Sequence, residues 1–161
     1  MGIRCPRCQW ENQPEDRACR RCGAELLPDG ADYASKLISA LEHPEPETPI
    51  RAAWILGELR ERRAVDPLMR VLEKGTDPYI LAAAAEALGK IGDDRATDVL
   101  AKSLASSFLP VRVKAVEALG RLGGDEARKA IEGALVDPSP SVRKAAEGAL
   151  HNLNQEAAEE R

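Results

Sequence analysis

From residue 33 onward, apolar residues return every three or four positions, pause at a proline-bearing stretch and begin again. Val65, Leu68, Met69, Val71 and Leu72 make one apolar face. Lys74-Gly75-Thr76-Asp77-Pro78 interrupts it, and Ile80, Ala83, Ala84, Ala87, Leu88 and Ile91 resume it. That spacing lines one side of a helix, so the segment predicts helix, turn, helix. Gly92 suits the left-handed residue that closes a helix, and Asp93-Asp94 begins the next connection. Proline is tolerated in the first turn of a helix and not in its interior. Pro44/Pro46/Pro49, Pro78, Pro110 and Pro138/Pro140 therefore mark where each second helix starts.

The pattern repeats. Ile55-Leu56-Gly57, Ala87-Leu88-Gly89, Ala118-Leu119-Gly120 and Ala149-Leu150-His151 align, with successive leucines 32, 31 and 31 residues apart. Ala64, Ala96 and Ala127 form a second column at the opening of the first helices, 32 and 31 apart. One hairpin leaves an apolar face in water, and stacking hides it. Small alanines let neighbouring helices come close. The expected architecture is all-α, a right-handed α-solenoid of four hairpins at about 33–63, 64–95, 96–126 and 127–153, with the second helices on the concave side. A polar tail, 154–161, is expected to fray.

Val111-Arg112, Ala115-Val116-Glu117-Ala118-Leu119-Gly120 and Val142-Arg143-Lys144-Ala145-Ala146 resemble HEAT-like repeats of the phycobilisome-lyase type. The resemblance covers about residues 33–153 and implies the fold far more than any function. Repeat one departs from it: Thr48-Pro49 stands where Val-Arg stands later, and Trp54 takes the place of a glutamate. The resemblance also implies that a turn Asp and an Arg six residues later bridge neighbouring units. Asp137 and Arg143 have that spacing, whereas Arg112 has Ser106 in place of Asp, and these arginines read as structural.

The first 27 residues follow another logic. All four cysteines lie there, as Cys5-Pro6-Arg7-Cys8 and Cys19-Arg20-Arg21-Cys22-Gly23, ten residues apart. Thiolates two residues apart reach one ion from a single tight turn, and two such turns complete a zinc tetrahedron. So short a module buries too little apolar surface to fold unaided, and structural zinc supplies about 10–16 kcal/mol of apparent binding energy. A redox dithiol pair would be expected near a βαβ pattern, which is absent. A catalytic zinc keeps a position open for water, whereas four cysteines close the shell. One structural zinc ion on Cys5, Cys8, Cys19 and Cys22 is the expectation, with iron the alternative. The stretch resembles the short zinc ribbons of many bacterial and archaeal proteins, with Gln9 where that family often has Gly. Residues 28–32 read as a linker.

Charge narrows the function. The chain has 23 basic and 27 acidic residues, formal charge -4, with both signs interspersed. Nucleic-acid binding needs a clustered positive field. Arg4, Arg7, Arg17, Arg20 and Arg21 are balanced by Glu11, Glu15, Asp16, Glu25 and Asp29, so a nucleic-acid partner is disfavoured though kept as the rival reading. No apolar run approaches a membrane span and residues 1–30 hold no secretory core, so a cytoplasmic location without membrane attachment is expected. The oligomeric state is left open, with a monomer favoured.

No GxSxG, phosphate loop or dinucleotide fingerprint occurs. Repeat-built metal hydroxylases carry His-Glu dipeptides, whereas His43 precedes Pro44 and His151 precedes Asn152. The chain is read as a non-catalytic scaffold with a protein or peptide partner, a role as a bilin-lyase-like enzyme accessory being a further alternative. The positions two before and two after each aligned leucine should face the groove: Trp54/Glu58, Glu86/Lys90, Glu117/Arg121 and Gly148/Asn152. Glu86–Lys90 and Glu117–Arg121 are favourable i,i+4 pairs. Trp54, Glu86, Lys90, Glu117 and Arg121 are the candidate partner-binding residues. Trp54 either contacts a partner or caps the first repeat by packing on the ribbon or linker.

Overall fold

The computed structural model describes residues 3–5, 7–13, 16, 18–24, 26 and 32–159. Pro6, Pro14, Glu15, Arg17, Glu25, residues 28–31 of the expected linker, and residues 160–161 lie outside that set. Eight α-helices run in chain order among the described residues: α1 (Tyr33–Ala40), α2 (Glu47–Glu58), α3 (Val65–Lys74), α4 (Pro78–Ile91), α5 (Thr97–Ser103), α6 (Leu109–Leu122), α7 (Gly124–Ala134) and α8 (Pro140–Glu159). They pair as α1–α2, α3–α4, α5–α6 and α7–α8, which makes an α-solenoid of four hairpins. Ahead of them, β1 (Ile3–Arg4) and β2 (Glu11–Asn12) pair antiparallel, Ile3 opposite Asn12.

The helix ends follow local chemistry. The Asp77 carboxylate accepts from the N–H groups of Tyr79 and Ile80, and Pro78 occupies the first helical position of α4. Gly92 ends α4 with φ +74, in the left-handed region where a Cβ would be strained. Ala64 and Ala96, expected to open α-helices, instead close short 3₁₀ turns, Arg62–Ala64 and Asp94–Ala96. The side chains of Glu61 and Asp93 hold those turns by accepting from Arg63 and Arg95 N–H groups. Ala127 lies inside α7, and all three alanines are fully buried. The helix α8 continues to Glu159, past the expected end of the repeats at 153. Leu153 is buried, and Arg128 donates to Asn154 at 2.7 Å, so the start of the expected frayed tail is helical.

The core runs the length of the stack, with Leu56, Leu68, Leu88, Leu100, Leu119 and Ile131 fully buried. In α4, Ala84, Ala87, Leu88 and Ile91 of the expected face are buried while Ile80 and Ala83 are only partly so, and Leu81 and Ala85 are buried as well, because the helix has neighbours on three sides: α3, α2 and α6. Leu150, the last of the aligned leucines, is only partly buried.

Successive second helices touch most closely at glycines. A Cβ built on Gly57 would lie 2.9 Å from Ala87 Cα, one on Gly89 2.6 Å from Ala118 Cα, and one on Gly120 2.9 Å from Ala149 Cβ. Each hairpin thus presents a glycine to the alanine that precedes the aligned leucine of the next. The first helices meet each other far less than the second helices do. The more closely packed layer of a curved stack lies on its inside, so the face formed by α2, α4, α6 and α8 is taken as the concave side.

Across the turns, the Arg112 guanidinium grips Asp137 of the next repeat, Nε at 2.9 Å from Oδ2 and Nη2 at 3.2 Å from Oδ1. Where Asp is replaced by Ser106, its backbone carbonyl accepts from Arg112 at 2.9 Å. Arg143 donates to the carbonyls of Asp137 and Pro138. The arginines are structural, and the ionic bridge is Arg112–Asp137, not Asp137–Arg143.

Gly89→Ala gains about 1 kcal/mol of helix propensity but forces a methyl against backbone, which costs about 1–3 kcal/mol or more. It is expected to lower the unfolding free energy in urea. Gly133→Ala, in α7 with nothing within 4 Å of the added Cβ, is expected to raise it by about 0.5–1 kcal/mol. Arg112, and next the Ser139 N–H, hold the Asp137 carboxyl below the usual carboxylate range. The folded chain therefore binds this proton less readily than the unfolded one. Its contribution is complete above an ordinary pKa of about 3.9 and is lost as pH falls through the lower folded value. Asp137→Asn should reduce stability at pH 6 and make its decline between pH 5 and 2 shallower, measured as denaturation midpoint against pH.

Candidate metal centre and concave face

The four cysteine sulfurs lie within 4.8 Å of one another, with Cys5 to Cys22 and Cys8 to Cys19 each 3.5 Å apart. A zinc tetrahedron with Zn–S bonds of about 2.3 Å has edges of about 3.8 Å, so the arrangement is compatible with a zinc site. Two matching turns build it. Gln9 N–H donates to the Cys5 carbonyl at 3.0 Å and Gly23 N–H to the Cys19 carbonyl at 2.8 Å. Cys5 N–H in turn donates to Trp10 and Cys19 N–H to Ala24, at 2.9 and 2.7 Å. Both turns need a positive φ after the second cysteine, +71 at Gly23 and +60 at Gln9. Buried Asn12 ties the turns together, donating to the Trp10 carbonyl and accepting from Arg20 N–H.

The thiols do not ionise alike. Burial opposes charge at Cys19, yet the N–H groups of Cys22 and Arg21 beside its sulfur bring it down to about 6. At Cys8 the Trp10 N–H favours the thiolate, but burial and the three neighbouring thiols together push it up to about 12. One charge suppresses the next, a penalty that a central divalent cation removes. Among the described residues, Leu26 and Ala24 pack around the cysteines in a cluster separate from the long solenoid core. Among the described residues this is the one group of three or more His, Cys, Asp or Glu side chains whose ligand atoms converge.

Of the ribbon arginines, Arg20 pairs with Asp16 at 2.8 Å and Arg21 stacks on Trp10, 5.3 Å from the ring centre. His43 lies in the turn between α1 and α2, its Nε2 2.7 Å from Gln9 Nε2, while His151 sits on α8 beside Gln155.

On the concave side the charges form a ladder across helices. Lys90 bonds Glu58 of α2 at 2.5 Å and Glu86 of its own helix at 3.0 Å. Lys114 of α6 reaches back to Glu86 at 3.1 Å and along to Glu117 at 2.9 Å. The expected Glu86–Lys90 pair is present. The expected Glu117–Arg121 pair is not, because Lys114 one turn earlier holds Glu117, and Arg121 is left exposed. The cross-helix pairs were invisible to a reading confined to single helices.

Trp54 does not cap the stack: it is 55% exposed. Its ring walls a slot of about 270 Å³ together with Ile50 and Arg51 of α2 and Ala83, Glu86, Ala87 and Lys90 of α4. Ile50 and Arg51, missed in the sequence, belong to this site. They precede Trp54 by four and three residues, a helical spacing that could have revealed them.

The family described as HEAT repeats matches residues 34–112 and 104–160. The chain belongs to the HEAT-repeat family. Among solved structures it is similar to human deoxyhypusine hydroxylase in complex with glycerol, with a TM-score of 0.67 and 25% identity over 78% of this chain and 45% of that one. An engineered protein matches with a TM-score of 0.62 and 28% identity, covering 76% of this chain and 63% of that one. The CpcE–CpcF complex of phycocyanin lyase from Nostoc matches with 0.54 and 24%, covering 88% and 71%, which shows the fold alone. This HEAT-repeat chain thus spans less than half of the hydroxylase and under two thirds of the engineered protein. No curated protein sequence matches it. None of its described helices is long and apolar enough to cross a membrane.

Proposed function

We propose that this HEAT-repeat chain is a non-catalytic scaffold that binds a protein or peptide along its concave face, with a structural zinc ion on Cys5, Cys8, Cys19 and Cys22. The observation that carries the reading is the Trp54 slot, an apolar recess beside an exposed tryptophan in the curved layer of the solenoid. Tryptophans in such settings are the residues whose truncation most weakens protein interfaces. The ladder from Glu58 to Glu117 surrounds the slot with satisfied charges, which suits a rim more than a reacting centre.

A nucleic-acid partner is less favoured, because Arg20 and Arg21 are engaged within the ribbon and the groove carries Glu58, Glu86 and Glu117. The similarity to a hydroxylase raises an enzyme reading. Against it, His43 and His151 stand in the first and fourth hairpins, and the cluster of four cysteines leaves a zinc ion no open position.

The double variant Trp54→Ala/Arg121→Ala should lose at least tenfold in affinity for a partner captured on the wild-type chain, with unchanged helical circular dichroism. Undiminished binding would remove this face from consideration. Elemental analysis should find one zinc per chain. Because the ribbon core is separate from the solenoid core, stripping zinc with a chelator should shift Trp10 fluorescence and leave most helical signal in place. Cys19→Ser should reproduce that state, and a second, non-cysteine metal in the same analysis would reopen the enzyme reading.

A further inference from the structure

We infer that the partner segment is acidic and carries one large apolar side chain, which enters the slot beside Trp54. The inference rests on the concave-face reading and specifies the ligand. The slot has room for a single Leu, Met or Phe side chain, with Ile50, Ala83 and Ala87 as its apolar lining and the Trp54 ring as one wall.

The charges around it select the sign of the flanking residues. Every acid of the ladder is occupied: Glu58 by Lys90, Glu86 by Lys90 and Lys114, and Glu117 by Lys114. The exposed cations on the same side are not. Arg51 lines the slot, Arg121 occupies the repeat position of Glu58 and Lys90, and Lys144 that of Ile50; all three are exposed and none makes an ion pair within the described chain. The unpaired acid in this register is Glu47, at the first turn of α2, where the helix dipole favours it. A basic segment would have to break existing pairs to be neutralised, whereas carboxylates find three free cations. Opposite potentials across an interface fix register and raise the association rate, in a salt-dependent way. The same acids disfavour a nucleic-acid strand, whose phosphates would pass beside Glu58, Glu86 and Glu117 without displacing a lysine.

The test is selection of a displayed library of random twelve-residue peptides on the full zinc-loaded chain, in parallel with Trp54→Ala and with Arg51→Glu/Arg121→Glu. Enriched sequences should be net negative with one Leu, Met, Phe or Trp. Their affinity should fall at least tenfold on Trp54→Ala, about tenfold on the charge reversal, and several-fold between 50 and 300 mM salt. Enrichment of neutral or basic sequences that still depend on Trp54 would overturn the acidic partner and leave the face standing. Enrichment indifferent to Trp54, or none at all, would overturn both. A single-stranded oligonucleotide that binds more tightly than the best peptide and needs Trp54 would replace the protein partner by a nucleic acid.

Discussion

The contact on which the rest depends is the meeting of a glycine in one second helix with an alanine in the next. Without a Cβ at Gly57, Gly89 and Gly120, the backbones of α2, α4, α6 and α8 come together as closely as helices can. Interiors tolerate neither voids nor overlap, so this approach fixes the spacing of the whole inner layer. The first helices meet each other far less. The difference between the layers bends the stack and creates a concave face. The same contact defines the ends: Ile55 stands where later repeats have alanine, and His151 where earlier ones have glycine.

Close spacing also decides where charge can go. Side chains on the inner edges of adjacent helices are near enough to bond across the gap, so Lys90 and Lys114 serve acids on two helices each. The ladder needs an acid two residues before the aligned leucine, and Glu86 and Glu117 supply it. In α2 that position is Trp54. The regular charge pattern is interrupted there by an aromatic ring, and Ala83 and Ala87 opposite are too small to fill the space beside it. The slot is thus what remains when one repeat departs from the pattern while its neighbour keeps it.

How much of this was legible in the chain follows from the range of each interaction. Helices, turns and the leucine columns depend on residues within a few positions of each other, and periodicity revealed them. The cysteine site depends on spacing within two short turns and was equally plain. Gly57, Gly89 and Gly120 read only as members of the aligned column, because their purpose lies in a backbone about 30 residues away. Glu117 was assigned to Arg121 for the same reason: the local rule sees i,i+4, while the competing Lys114 is held in place by Glu86 of the preceding hairpin. Whether Trp54 caps or is free depends on where the ribbon sits, which no local rule reaches.

The ribbon shows how a local departure acquires a long-range meaning. At Gln9 the turn requires φ near +60, a conformation that glycine adopts freely and that costs a residue with a Cβ about 1 kcal/mol. The equivalent position in the second turn is Gly23, so the turn itself gives no reason for glutamine. A contact made outside the ribbon uses it, since the Gln9 amide meets His43 in the turn between α1 and α2. A glycine would relax the turn and leave that contact unmade. Two modules with separate cores, one closed on four thiols and the other on stacked helices, thus meet through a side chain whose backbone is held in an unfavourable region. That contact ties the ribbon to the first hairpin beside a cleft that Arg7 and Ala24 of the ribbon share with Ile38, Leu41 and Val71 of the solenoid.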